Sequence, residues 1–243
     1  MTELVPLLKT EKLTMNFGGV VANDSVDFNL GEMELRCLIG PNGAGKSTFF
    51  KMLTGQITPS SGTIAFRGRS IAGLPSHEIA RTGLGIKTQI PNVFNGLSVR
   101  ENIWLSARRK NTPRMANLVV DEILERVRLT EKQSAIVGQL SHGQRQWVEI
   151  GTVLAGDPEL LLLDEPAAGM TDKETERTAE IIREINEARA IIVVEHDMEF
   201  IKMIARTVTV FHQGRIMMED TLKNVLADAR VRDVYLGKKV VVS

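Results

Sequence analysis

The chain has almost no cysteine and no net charge, and these two absences exclude several kinds of protein. Its 243 residues include one cysteine, Cys37, so an internal disulfide framework and a cysteine-rich metal site are both ruled out. Its 30 basic and 30 acidic residues cancel, so no overall field draws the chain to nucleic acid or to anionic lipid. Because Cys37 lies in the mostly apolar segment 35–39, we expect a buried and unreactive thiol.

Long hydrophobic runs are also missing. Residues 1–12 carry charges and lack the apolar centre of a signal peptide. The longest apolar stretches, such as 160–163 and 190–194, are far shorter than the ~20 residues that span a bilayer. A hydrophobic content of 43% and a charged content of 25% are ordinary for a globular domain. We therefore expect a soluble, cytoplasmic protein that reaches a membrane only through a partner.

Short apolar strands alternate with helical stretches along most of the chain. Residues 4–30 have the alternating pattern of β-strands around a turn at Phe17-Gly18-Gly19. Further strands are predicted at 34–39, 63–66, 160–164, 190–195 and 208–212. Helices are predicted at 46–53, 75–81 (with Ser76 as cap candidate), 117–127, 144–154, 172–189, 197–205 and 221–236. Nearly continuous apolar strands between helices favour an α/β core with a largely parallel sheet, into which a helical segment, 91–155, is inserted.

One segment has the pattern of a phosphate-binding loop. Gly40-x-x-x-x-Gly45-Lys46-Ser47 follows a predicted strand and opens a predicted helix, which is the context that this motif requires. Glycines let backbone N–H groups turn toward phosphate oxygens at a helix N-terminus, where the helix dipole favours anions. In this pattern Lys46 reaches the β- and γ-phosphates of ATP and the Ser47 hydroxyl binds Mg²⁺. The competing interpretation is a glycine-rich turn with an incidental lysine. The candidate ATP-binding residues are Gly40, Pro41, Asn42, Gly43, Ala44, Gly45, Lys46, Ser47 and Thr48.

Two carboxylates follow the apolar run 160–163. Asp164, at the tip of the predicted strand, suits the coordination sphere of Mg²⁺, and Glu165 is placed to activate or orient the attacking water. The competing interpretation is an acid-rich helix start, since Pro166 fits a first helical turn. Beside a phosphate loop the catalytic interpretation is favoured. His196 ends a second apolar strand, where it is placed to contact the γ-phosphate, although a lone histidine there is more often structural.

A further motif, 140–144, has the sequence Leu-Ser-His-Gly-Gln and opens a predicted helix. It resembles the Leu-Ser-Gly-Gly-Gln signature of the ATP-binding cassette (ABC) ATPases. Ser141 and the bare backbone of Gly143 at a helix N-terminus form a second anion site, and Ser141 is equally a candidate for a simple helix cap. In the ABC family this site completes the γ-phosphate site of the opposite protomer. The resemblance therefore implies a head-to-tail dimer in which Ser141, Gly143 and Gln144 contact ATP.

The resemblance covers essentially the whole chain, with six motifs in the family's order. Phe17 takes the place of the aromatic residue that stacks on adenine, and residues 168–172 that of the loop crossing the dimer interface. The implied fold is a RecA-like P-loop NTPase core (1–90 and 156–243) with an inserted α-helical subdomain (91–155) and an N-terminal antiparallel β subdomain. The implied catalytic residues are Glu165, the switch histidine His196 and the Q-loop glutamine Gln89. The implied Mg²⁺ ligands are Ser47, Gln89 and Asp164.

Within the family the chain looks like the importer ATPases of branched-chain amino-acid systems, in segments 165–170, 194–198 and 234–237. Segments 140–151 and 195–200 look most like the urea-transporter ATPase subunit. His142 departs from the wider signature pattern but is shared with that branch. The implied function is ATP hydrolysis that powers uptake of a small polar solute, urea first, with a branched-chain amino acid or another amide as the alternative. The pair Lys87-Thr88 departs from the usual residues before Gln89.

The resemblance also implies partners and a location. Transmembrane permease subunits would contact the surface at 91–102, for which an ordinary loop capped by Ser98 is the alternative. The second ATPase of the dimer is this chain itself or a sister ABC ATPase, and a periplasmic or extracellular solute-binding protein acts indirectly. The subunit would be a peripheral protein on the cytoplasmic face of the membrane. Nucleic acid is not expected among its partners.

Other functions compete with the importer interpretation. An ABC ATPase acting on ribosomes or DNA usually has a second cassette or a long coiled-coil insertion, and neither is present. A P-loop GTPase or kinase is a second alternative, and a GTPase should carry Asn-Lys-x-Asp, which is absent. A catalytically silent regulatory nucleotide-binding module is disfavoured because Glu165 and His196 are both present.

Overall fold

The computed structural model describes residues 5–89 and 91–235. Its strands are β1 (Leu8–Phe17), β2 (Val20–Leu30), β3 (Leu35–Ile39), β4 (Ser61–Phe66), β5 (Arg69–Ser70), β6 (Leu84–Lys87), β7 (Leu160–Asp164), β8 (Ala190–Val194), β9 (Thr207–His212) and β10 (Arg215–Thr221). Its helices are α1 (Lys46–Leu53), α2 (Ser76–Arg81), α3 (Val99–Ala107), α4 (Pro113–Arg126), α5 (His142–Leu154), α6 (Asp172–Asn186), α7 (Met198–Ile204), α8 (Leu222–Ala227) and α9 (Ala229–Tyr235). Two 3-10 turns lie at Thr130–Lys132 and Val137–Gln139.

The chain divides into two compact units. The first unit contains the described residues 5–82 and 190–235, and the second contains those of 83–189. The predicted subdomain boundaries, with a core at 1–90 and 156–243 and a helical subdomain at 91–155, stay predictions. The ends of the resemblance at 234–237 and of the predicted helix at 221–236 reach beyond the described residues. In the part of the chain that the structure describes, every helix is too short or too polar to cross a bilayer.

The first unit begins with an antiparallel sheet in the order β2-β1-β4-β5. Strands β1 and β2 form a hairpin that is paired from Leu8↔Leu30 to Phe17↔Val20, with register shifts between Thr10 and Asn16. Its turn consists of two glycines with φ of 53° and 104°, a backbone that glycine adopts without steric cost. The predicted turn after Phe17 and the predicted antiparallel β region are therefore confirmed.

The same unit also contains parallel strands whose buried residues form its hydrophobic core. Strand β3 pairs in parallel with β8 on one side and β9 on the other, and all five residues of β3 are buried. Helix α1 follows β3 and packs Phe49 between Phe28 and Phe211, with ring centroids 5.4 and 5.3 Å apart. Buried apolar residues on both faces of β3 are what a parallel strand covered by helices requires.

In the second unit β6 and β7 pair in parallel, and the helical stretch follows β6. Helix α5 is buried on nearly every side, and α3 and α4 pack against it. The indole Nε1 of Trp147 donates to Thr178 Oγ1 at 2.8 Å, which joins α5 to α6. The predicted run of helices after residue 91 therefore forms around α5.

Two details of the predicted helices are wrong. Ser76 is not a cap: Pro75, with extended backbone at φ −67° and ψ 150°, precedes α2, and no side chain caps this helix. The predicted helix at 221–236 is broken at Asp228, whose backbone is extended. The Asp228 carboxylate instead accepts the N–H groups of Arg230 and Val231, so a second short helix starts there.

Candidate functional site

The predicted phosphate loop joins the end of β3 to the start of α1. Three of its glycines have positive φ angles: Gly40 at 147°, Gly43 at 77° and Gly45 at 102°. The Lys46 ammonium donates to the carbonyl oxygens of Gly40 at 2.6 Å and Pro41 at 3.1 Å, so it lies over the loop. A cation above a curved backbone at a helix N-terminus is an arrangement suited to phosphate.

Close packing explains why this loop needs glycine. A Cβ atom at Gly45 would lie 2.6 Å from the carbonyl oxygen of Ala22, and one at Gly40 would lie 2.3 Å from that of Phe211. Both obstacles are backbone atoms of strands, which do not move aside easily. The loop is therefore pressed against its neighbours in one conformation.

His196 leaves the sheet at the same edge as the phosphate loop. It follows β8, which is the parallel neighbour of β3, with Leu38 opposite Val194. In an α/β sheet the carboxyl ends of neighbouring parallel strands meet at one edge, where ligands bind. The side chain of His196 is exposed, while its backbone N–H donates to Glu195 Oε2 at 3.1 Å. The next residue, Asp197, caps α7. Phe17 lies at the hairpin tip of the same unit, with 48% of its surface exposed.

In the second unit the structure joins Gln89 to Glu165. Gln89 Nε2 donates to Glu165 Oε2 at 2.7 Å, and the two residues follow the neighbouring parallel strands β6 and β7. Glu165 has a φ of 45°, in the left-handed region that is costly for a side chain. Strained backbone of this kind clusters at functional sites. Asp164 ends β7, and its carbonyl oxygen accepts from Lys87 Nζ at 3.2 Å.

The signature segment forms the predicted helix cap. Ser141 Oγ accepts the N–H of Gln144 at 3.2 Å, and Gln144 Oε1 accepts the N–H of Ser141 at 3.2 Å. This reciprocal pair is a capping box at the start of α5. Gly143 leaves room for Glu174, because a Cβ atom there would lie 2.6 Å from the Glu174 carboxylate and would displace it.

Glu174 is a contact of the signature segment that the sequence analysis missed. Its Oε1 accepts from Ser141 Oγ at 2.9 Å, while its Oε2 accepts from the N–H and hydroxyl of Thr171 at 3.1 and 3.0 Å. The hydrogen bonds from Thr171 and Ser141 hold the pKa of Glu174 below its ordinary value. The spacing Thr171-x-x-Glu174 is itself a capping-box pattern, so the sequence did contain a signal for this residue.

The residues predicted to hold Mg²⁺ offer only oxygen donors, which this hard cation prefers. They are the Ser47 hydroxyl, the Gln89 amide oxygen and the Asp164 carboxylate. Among the described residues there is no group of three acidic, histidine or cysteine side chains that could enclose a metal ion by itself. Such a donor set fits an ion that shares its coordination sphere with phosphate oxygens and water.

Comparisons with known proteins give a consistent set of similarities. The ABC transporter family model matches residues 23–168. The high-affinity branched-chain amino acid transport ATP-binding protein LivG of Salmonella typhimurium is 35% identical over 96% of this chain and 98% of its own. The corresponding protein BraF of Pseudomonas aeruginosa is 34% identical over 96% and 98%. A solved ATP-binding cassette of an ABC transporter in its ADP conformation has a TM-score of 0.85 and 26% identity, covering 97% of this chain and all of that one.

Proposed function

The chain belongs to the ABC transporter family, and from that premise we propose that it is the ATP-hydrolysing subunit of a solute importer. Its fold is the ABC nucleotide-binding cassette that the sequence predicted, with a small antiparallel sheet and a larger sheet carrying the phosphate loop. The observation that carries the hydrolytic part of the proposal is the 2.7 Å hydrogen bond between Gln89 and the strained Glu165. This hydrogen bond orients the Glu165 carboxylate, in a chain that also has a phosphate loop.

Each predicted site residue has a role in this proposal. Residues 40–48 hold the phosphates of ATP, and Lys46 balances their charge. Glu165 accepts a proton from the attacking water or orients it, and Gln89 keeps the Glu165 carboxylate in place. His196 contacts the γ-phosphate, and Phe17 stacks on adenine through its exposed ring. Hydrolysis then depends on positioning and on stabilising charge in the transition state.

Mg²⁺ would be held by Ser47, Asp164 and Gln89, and it would supply neutralisation of the charge on the phosphates. The other contributions to catalysis come from the protein residues. They bind the nucleotide at the helix N-terminus, fix the general base and limit the positions open to water.

We infer from the signature segment that the unit of function is a dimer. Ser141, Gly143 and Gln144 lie at a helix start of the kind that binds anions, where Ser141 Oγ donates to the Glu174 carboxylate, and the chain's own nucleotide has the separate phosphate loop. We infer that this helix start contacts the γ-phosphate of ATP held by a second cassette in a head-to-tail arrangement. The second cassette is a sister ATPase or another copy of this chain. The permease subunits would dock near residues 91–102, and this would place the chain at the cytoplasmic face of a membrane.

A branched-chain amino acid is the solute best supported by the comparisons, because both curated relatives carry that transport function in their names. Urea is the second candidate. It is favoured by the signature segment Leu-Ser-His-Gly-Gln at 140–144, in which His142 departs from the wider family pattern. Uptake of labelled leucine and of labelled urea by a deletion strain separates them: the true solute loses uptake and regains it when the gene is restored.

The test of hydrolysis is the variant Glu165→Gln. The amide keeps the shape and can still contact Gln89, but it does not accept a proton, so we expect ATP to remain bound while turnover falls about a hundredfold or more. A trapped ATP should also favour the closed dimer on size-exclusion chromatography. Brisk turnover by this variant would exclude Glu165 as the general base. Lys46→Ala should weaken ATP binding, and unchanged affinity would contradict the phosphate-loop assignment.

A further inference from the structure

A second carboxylate in the second unit is buried, and none of the roles above uses it. Glu149 lies in α5 and exposes only 2% of its surface. Because α5 begins at His142, Glu149 is two turns along the helix from the signature segment, about 10 Å along the axis. Glutamate is rarely buried without a specific partner, since its charge is expensive to remove from water.

The partners of Glu149 lie on either side of the predicted Q-loop glutamine. Its Oε1 accepts the backbone N–H of Asn92 at 3.0 Å and the hydroxyl of Thr88 at 3.3 Å. Its Oε2 is buried with no hydrogen-bond partner among the described residues. Burial raises the pKa of Glu149, while the hydrogen bonds and the charge of Lys87 partly oppose that rise. Glu149 therefore anchors the segment that carries Gln89 from the side of α5.

The same segment is anchored on its other side to the end of β7. Lys87 is fully buried, and its Nζ donates to the carbonyl oxygens of Thr88 at 3.0 Å and Asp164 at 3.2 Å. Gln89 itself donates to Glu165. A short stretch of chain thus joins the helix that starts at the signature segment to the main chain of Asp164, at the end of β7, and to the Glu165 carboxylate that follows it. Apolar side chains would fill this part of the interior without the cost of burying charge. The two buried ionisable groups, Glu149 and Lys87, therefore indicate that their hydrogen bonds are needed to hold this segment in position.

We propose that Glu149 is a positioning residue that couples the signature helix to Gln89. The proposal deepens the proposed function and rests on it. When Ser141 engages the nucleotide of the opposite cassette, a shift of α5 moves Glu149. Thr88 and Asn92 follow it through their hydrogen bonds, and with them the Gln89–Glu165 pair that acts on the chain's own nucleotide. The two sites of the dimer then respond to each other through this one carboxylate.

The experiment compares three variants of the full chain at protein concentrations where the wild type hydrolyses ATP cooperatively. In Glu149→Ala the acceptor is lost, so we expect kcat to fall about ten- to a hundredfold and the Hill coefficient for ATP to fall toward one. The affinity for a fluorescent ATP analogue should stay within about twofold, because residues 40–48 are untouched. In Glu149→Gln the amide oxygen still accepts from Thr88 and Asn92, so kcat and the Hill coefficient should return to near the wild-type values.

Val148→Ala is the matched control, since Val148 is the neighbouring buried residue of the same helix. It should lower Tm as a packing defect does, while kcat and the Hill coefficient stay near wild type. The proposal is overturned if Glu149→Ala keeps both kinetic values, or if Val148→Ala lowers them equally. Failure of the proposed function is recognised separately. In that case the wild type shows no turnover, or Lys46→Ala and wild type bind ATP alike, whatever residue 149 is.

Discussion

Replacing Gly45 by alanine tests how the phosphate loop is held. The φ of 102° lies in the left-handed region, where a Cβ atom costs about 1–2 kcal/mol. The new Cβ would also lie 2.6 Å from the carbonyl oxygen of Ala22 and 3.2 Å from the Cα of Gly214, both backbone atoms. Relieving such overpacking costs about 1–3 kcal/mol more. We therefore expect the free energy of unfolding to fall by about 3 kcal/mol in total.

The same change should displace the start of α1 and weaken nucleotide binding. A loss of about 1.4–3 kcal/mol of binding energy corresponds to a Kd raised about ten- to a hundredfold. Guanidinium denaturation gives the stability, and titration with a fluorescent ATP analogue gives the affinity. Gly43→Ala is the comparison, because Gly43 has a φ of 77° but open space around its missing Cβ. It should lose only the backbone part of the stability. Equal losses in the two variants would refute the contact with Ala22 as the cause.

Three further outcomes follow from the buried charged and nucleophilic groups. Arg36 is 4% exposed, and its guanidinium is bonded to Glu34, Glu219 and the Thr209 hydroxyl. Arg36→Met removes these bonds and should lower the free energy of unfolding by about 1–3 kcal/mol. An unchanged guanidinium midpoint would contradict this. Burial, and secondarily the charge of Glu195, raises the pKa of Cys37 to about 12. A thiol reagent should therefore label Cys37 only as the protein unfolds, and prompt labelling of the native chain would contradict this. Burial raises the pKa of Glu149 above its ordinary value of 4.5, so over this pH range the folded state binds more protons than the unfolded state. The free energy of unfolding should therefore fall as pH rises from 4.5 through the raised pKa. Glu149→Gln should flatten this part of the stability profile, and identical profiles in both proteins would show that Glu149 does not titrate there.

Several parts of the molecule could be predicted because they depend on neighbours in sequence. The helix predicted at 46–53 is observed as Lys46–Leu53, and the capping role of Ser141 is observed as predicted. Both depend on hydrogen bonds that span about four residues and on glycines whose backbone freedom is intrinsic. The alternation that predicted the first hairpin is similarly local. The order of the six motifs along the chain then carried the resemblance to the ABC family.

The local errors have an equally local cause. In the segment 221–236 helical periodicity outweighed the signal of Asp228, a residue type that competes for backbone N–H groups and starts a new helix. At α2 the serine pattern suggested a cap, but the extended backbone of Pro75 already ends the preceding loop. In both cases a plausible pattern met a residue with a stronger backbone preference.

The sequence by itself predicted a loop for ATP phosphates at 40–48 and the residues expected around them, because these motifs are local, and those site residues stay predictions. Only the tertiary structure decided how those residues are held. Glu174 meets Ser141 across 33 residues, and Glu149 meets Thr88 across 61. A glutamate in a helix ordinarily faces water, and its burial depends on which distant segment packs over it. That packing, rather than any pattern along the chain, buries Glu149 against Thr88 and Asn92, on either side of Gln89.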